Sequence, residues 1–135
     1  MTAKRFTLFL SLLLMALMLA SGCGKRTAPV HNISDATFPV SSATGSLTKV
    51  KKAISTACIE QGWIIQEDAP NRLRAKLILR SHEAVVDIPY TTKKYSIVYV
   101  SSSNLAYQDG NIHIRYNSWV NNLAKAINLE FARSR

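Results

Sequence analysis

The residue types in this 135-residue chain that first suggest chemistry are three histidines and two cysteines. His31, His82 and His113 are far apart in sequence. The chain has no His-Glu-x-x-His zinc pair, no Gly-x-Ser-x-Gly elbow, no glycine-rich phosphate loop and no Cys-x-x-Cys. His82 is expected in a hairpin turn between Arg80 and Glu83, and His113 in the first turn of a helix; both read as local hydrogen-bonding residues. One grouping would change that. If Arg80, His82, Tyr107 and His113 converged in a concave pocket, they would make a small-ligand site or an active site. No cofactor or metal is implied.

The N-terminus carries a clearer signal. Lys4 and Arg5 precede an apolar run from Phe6 to Ala20, and small residues lead to Cys23. Charged, apolar, small is the order of a secretory signal peptide. A membrane-spanning helix needs about 20 apolar residues, and this run is shorter. Ala20-Ser21-Gly22-Cys23 resembles the lipobox of bacterial lipoproteins, although Ala20 stands where leucine is commoner. The resemblance implies cleavage before Cys23, lipid on its thiol, and a protein tethered to a membrane without crossing it. Each buried methylene is worth about 0.8 kcal/mol, and two acyl chains suffice for stable anchoring. Gly24 is not the aspartate that retains such proteins in the inner membrane. The expected location is therefore the outer membrane, facing the periplasm, or the cell membrane of an organism that has only one. Three regions follow: a signal over 1–22, a partly packed tether over 23–46, and a domain over 47–135.

Losing residues 1–22 removes Lys4 and Arg5 and no acid, which lowers the formal net charge from +9 to +7. Exported, the chain does not meet nucleic acid. Its available polyanions are lipid headgroups and other envelope components. With Cys23 lipidated, Cys58 stands alone and no intrachain disulfide forms. It falls on an apolar helix face and reads as core.

Periodicity supplies the domain. Leu47, Val50, Ile54, Ala57 and Cys58 recur at helical spacing, with Ser46 or Thr48 to cap the start and Gly62 to end the helix. Trp63–Glu67 reads as a strand, and Ala69-Pro70-Asn71 as a turn. Leu73, Ala75, Leu77 and Leu79 alternate with Arg72, Arg74, Lys76, Ile78 and Arg80, and two similar runs follow through Tyr90 and Val100. A turn at Ser81-His82 would place Leu77 opposite Val86 and Lys76 opposite Asp87. A turn at Thr92-Lys93 would place Tyr90 opposite Tyr95 and Val86 opposite Tyr99. Ile112–Phe131 is a second amphipathic helix, with Asn111 available as its cap. Within 23–46, Val30, Ile33, Phe38 and Val40 are not linker residues, so part of Val30–Val40 is expected to pack, as an edge strand. The expected fold is α+β: αββββα, a four-stranded antiparallel meander with two helices on one face.

The string from Arg80 to Trp119 contains R-x-H-x-A-x-V-x-I-x-Y, Y-x-I-x-Y, S-x-N-L-x-Y and I-H-x-x-Y-N-x-W-V. It is similar to a family of small, uncharacterised bacterial lipoproteins. That resemblance implies the same domain and an envelope location, and carries no activity and no catalytic residue. The expected role is a non-catalytic binding or scaffold module. Its uncovered sheet face would hold Ile78, Val85, Val98 and Val100 at the centre, bordered by Arg72, Arg74, Lys76 and Arg80. Such a face suits an anionic envelope component or another envelope protein.

Overall fold

The computed structural model describes residues 26–39 and 46–134. The leader and Cys23 lie outside the described residues. In chain order the elements are β1 Thr27–Pro29, β2 Ile33–Thr37, α1 Leu47–Glu60, β3 Ile64–Ala69, β4 Arg72–Leu79, β5 His82–Pro89, β6 Lys94–Ser103, β7 Asn111–His113 and α2 Ile114–Arg133.

Helix α1 begins where the Ser46 side chain accepts a hydrogen bond from the Lys49 amide at 3.2 Å. It ends at Gly62, whose φ of +81° costs a residue without a Cβ little. There the Trp63 amide donates to the Cys58 carbonyl at 2.8 Å and the Gly62 amide to Ile59 at 3.0 Å, which satisfies the last carbonyls of the helix. Helix α2 starts two residues later than its periodicity predicts. Its cap is His113, whose Nδ1 accepts from the Arg115 amide at 3.2 Å, and not Asn111. Asn111–His113 is instead β7, paired with β1 in a separate two-stranded sheet. That partner lies more than 80 residues away, and local periodicity carries no trace of it.

The main sheet has five strands, not four, in the order β2-β6-β5-β4-β3, all antiparallel. Strands β3 to β6 form the expected meander; β2 adds the fifth strand on the β6 edge. Buried side chains from α1 (Val50, Ile54, Cys58), from α2 (Tyr116, Val120, Leu123) and from the inner sheet face share one core. Lys49 near the start of α1 lies 5.6 Å from the Phe131 ring near the end of α2, so the two helices run in opposite directions.

One register differs from expectation. Leu77 lies opposite Ala84, Ala75 opposite Val86 and Arg74 opposite Asp87, a slip of two residues. The loop is Arg80-Ser81, not Ser81-His82, and Arg80 takes a φ of +57°. A positive φ at the first loop position suits the twist of a hairpin, and arginine does not announce it. Because the slip is even, every side chain keeps its face; only the charge pairs change. The other hairpin has the expected register at Tyr90–Tyr95 and Val86–Tyr99.

The segment preceding α1 packs, and it does so earlier than Val30. The Arg26 carbonyl accepts from the Ile114 amide at 3.0 Å, and the Val30 amide donates to Gly110 at 2.8 Å. Asn117 clamps the same stretch, donating to the Pro29 carbonyl at 2.9 Å and accepting from the His31 amide at 3.0 Å. Phe38 enters the core and stacks on Phe131 with ring centroids 4.1 Å apart.

Candidate partner-binding face and the histidine cluster

Both helices pack on one side of the sheet, so the other face meets solvent. Its four apolar residues are not equal. Ile78, Val98 and Val100 are 53, 38 and 39 % exposed, whereas Val85 is 8 % exposed, sunk among its neighbours and outside the main core. Val85 lies opposite Lys76 on one side and Ser101 on the other, and its diagonal neighbours are Ile78 and Val98. Val100 is the extra residue of a bulge: Val86 pairs with Tyr99 and Val85 with Ser101. Ile64, 63 % exposed, lies opposite Lys76 and extends the apolar diagonal onto β3. Sequence alternation leaves Ile64 unassigned between faces until the β3–β4 register is known.

The expected cationic border is internally neutralised. Arg74 donates two hydrogen bonds to Asp87, at 2.7 and 2.9 Å, and meets Asp68 at 3.1 Å. Its bond to Asp87 pushes the guanidinium pKa further up. Arg72 donates to Asp68 at 2.7 Å, and Lys76 lies 3.3 Å from Glu83. Arg80 sits in the turn and makes no ion pair among the described residues. The two-residue slip accounts for this: Glu83, expected opposite Arg80, faces Ile78 and serves Lys76. The face is therefore apolar along its diagonal and balanced in charge around it.

The four residues of the alternative site have structural bonds of their own. His82 Nδ1 is 2.7 Å from the Asn104 carbonyl oxygen, and the Asn104 amide group donates to the Ser81 carbonyl at 3.4 Å. His113 caps α2, and its amide donates to Leu105 at 2.8 Å. Tyr107 stacks on Tyr99 at 4.8 Å, and Tyr99 meets Tyr116 edge-on at 5.6 Å. The Tyr116 hydroxyl is buried with no hydrogen-bond partner among the described residues, and burial pushes its pKa up. These contacts join the β4–β5 turn, the end of β6 and the start of α2 into one end of the molecule.

Two cavities lie at the opposite end. One of about 340 Å³ is lined by Leu47, Lys51, Glu67, Asn71, Arg72 and Tyr90, among others. One of about 150 Å³ lies beside Asp35, Thr91 and Tyr95. Neither is lined by Arg80, His82, Tyr107 or His113. Among the described residues no group of three or more His, Cys, Asp or Glu side chains is placed to hold a metal ion, and no helix is long and apolar enough to cross a membrane. Cys58 is fully buried, and desolvation pushes its thiol up to about 12. No protein-family model matches the chain, and neither curated proteins nor solved structures give a significant match.

Proposed function

We propose that this is a lipid-anchored cell-envelope protein, held by a lipid on Cys23 at the periplasmic side of the outer membrane. It works as a non-catalytic binding or scaffold module. The observation that carries the binding role is the uncovered sheet face, where Ile78, Val98 and Val100 remain 53, 38 and 39 % exposed. An apolar diagonal among mutually paired charges suits the mixed surface of another envelope protein. A polyanion would gain little from Arg72, Arg74 and Lys76, which already hold carboxylates. His82, Tyr107 and His113 are engaged in contacts of their own, and neither described cavity is lined by them or by Arg80, which favours a binding module over a small-ligand protein or enzyme.

The test follows from the charge pairing. Arg74→Glu is a poor probe, because it would set three carboxylates together with Asp68 and Asp87. Val98→Lys changes only an exposed side chain and is expected to leave the stability within about 0.5 kcal/mol. With the protein crosslinked in intact cells through photoreactive residues at Ser96 and Ser101, a discrete partner adduct is expected in the wild type. The adduct should be lost with Val98→Lys. An adduct that survives Val98→Lys and Ile78→Lys together would contradict the face assignment.

A further inference from the structure

We infer that the end of the domain formed by the β4–β5 turn, the β1–β7 sheet and the start of α2 lies against the anionic phospholipid surface of the anchoring membrane. The inference rests on the lipid-anchor reading of Cys23 and adds an orientation to it.

Three observations converge. The first is chain length. Gly24, Lys25 and Arg26 alone separate Cys23 from Thr27, the first residue paired in β1. Four residue steps reach at most roughly 14 Å. Residues 23–46 therefore do not act as one long leash, because β1 fixes the chain to the domain almost where the lipid begins. Strand β6, ten residues long, spans roughly 33 Å, so the far end of the sheet is well beyond that reach.

The second is where that short link arrives. The Arg26 carbonyl is bonded to the Ile114 amide, His113 to Leu105, and Asn104 to His82 and Ser81. This series crosses one end of the molecule, from the anchor side to the β4–β5 turn. Helix α1 also finishes there, since Gly62 packs near Leu77.

The third is what that end exposes. Ile59, Leu79, Tyr107 and Ile114 are 65, 44, 49 and 48 % exposed. They come from α1, β4, the β6–β7 loop and α2, so no single amphipathic stretch explains them. Arg26, Arg80 and Arg115 are exposed at the same end, and none makes an ion pair among the described residues. Glu60 and Asp109 on that side make no ion pair among the described residues. Apolar tips with cations beside them match the boundary between acyl chains and anionic headgroups. Toward the opposite end Lys51, Arg72, Lys94 and Arg133 are each paired with a carboxylate, whereas Lys49, Lys52 and Lys93 make no ion pair among the described residues, so it is the apolar tips beside the cations that set the anchor end apart. The orientation stands the sheet away from the membrane and leaves its open face directed sideways, toward a neighbour in the envelope.

The test uses the full chain, processed in the cell, purified in detergent and reconstituted in phosphatidylglycerol–phosphatidylethanolamine vesicles that contain a quencher-bearing lipid. A fluorophore is attached to Ile114→Cys in one preparation and to Leu129→Cys in another; Cys58 is buried and stays unlabelled. Intact mass reports whether Cys23 carries lipid. Lipidated protein is expected to be quenched several-fold more at 114 than at 129. Adding Arg26→Glu and Arg115→Glu should reduce quenching at 114. Equal quenching at both positions in lipidated protein overturns the orientation and leaves the anchor standing. Quenching at 114 that ignores the two charge reversals overturns the anionic surface as the occupant. A mass without lipid overturns the anchor and the orientation together.

Discussion

Replacing Phe38 by alanine is expected to destabilise the domain by about 3–5 kcal/mol, the usual cost of emptying a buried aromatic site. Phe38 is 6 % exposed, stacks on Phe131 at 4.1 Å and meets Tyr95 at 5.1 Å. Its amide also donates to the Lys93 carbonyl at 3.2 Å, which ties the end of β2 to the β5–β6 turn. By sequence position Phe38 belongs to the partly packed tether, in the Val30–Val40 part that is expected to pack. In a free tether the same substitution would fall within about 0.5 kcal/mol of zero. Urea unfolding of the protein lacking residues 1–22 distinguishes the two, with Leu129→Ala, at a half-exposed helix position, as the near-neutral control. A Phe38→Ala midpoint equal to that of the wild type would show that β2 does not contribute to the fold.

The second large effect is an alkaline one. Burial pushes the Cys58 thiol from 9.0 up to about 12. The folded state therefore keeps its proton where the unfolded chain has lost it. Stability from this group is fully present below pH 9, declines as the unfolded thiol ionises, and is lost by about pH 12. At 1.36 kcal/mol per unit, three units amount to about 4 kcal/mol, a large fraction of a small domain's total. Tyr95 is also pushed up to about 12, and Tyr90 upward, by burial. These tyrosines add to the alkaline loss but are common to every Cys58 variant. Unfolding curves at pH 8 and pH 11 should show the wild type losing about 3 kcal/mol more than Cys58→Ala over that interval. Equal losses would place Cys58 in contact with water.

How far the sequence reaches can be argued from particular residues. Helix α1 was legible except for the choice of cap between Ser46 and Thr48, because its cap, its apolar spacing and Gly62 all act within one short segment. The meander from β3 to β6 and the facing of the side chains on β4, β5 and β6 were legible for the same reason, since alternation is local; the facing of β3 waited on its register with β4. The slip of two at β4–β5 was not. It depends on Arg80 taking a positive φ, which no glycine or asparagine signalled, and an even slip leaves the apolar pattern unchanged. The packing of Phe38 was legible from its apolar neighbours in Val30–Val40, but its partners Phe131 and Tyr95 and the β1–β7 pairing are long-range, and three-residue strands have no periodicity to read. The expected register already set Lys76 opposite Asp87 and Arg80 opposite Glu83; the slip hands these carboxylates to Arg74 and Lys76, and Asp68 on β3 pairs with Arg72 and Arg74, which alternation did not show. Val100 was placed on the open face by alternation, and the bulge at Val85 leaves it exposed there.

The central claim is the lipid on Cys23, because the location, the orientation and the choice of partner all depend on it. Growth with a clickable fatty-acid analogue, followed by intact-mass analysis of the purified protein, tests it directly. The account expects wild-type protein that begins at Cys23, carries label and acyl mass, and sediments with the outer membrane, while Cys23→Ser carries neither and stays in the soluble or unprocessed fraction. Equal labelling of the two proteins, or an unlabelled wild type recovered free of membrane, would contradict it.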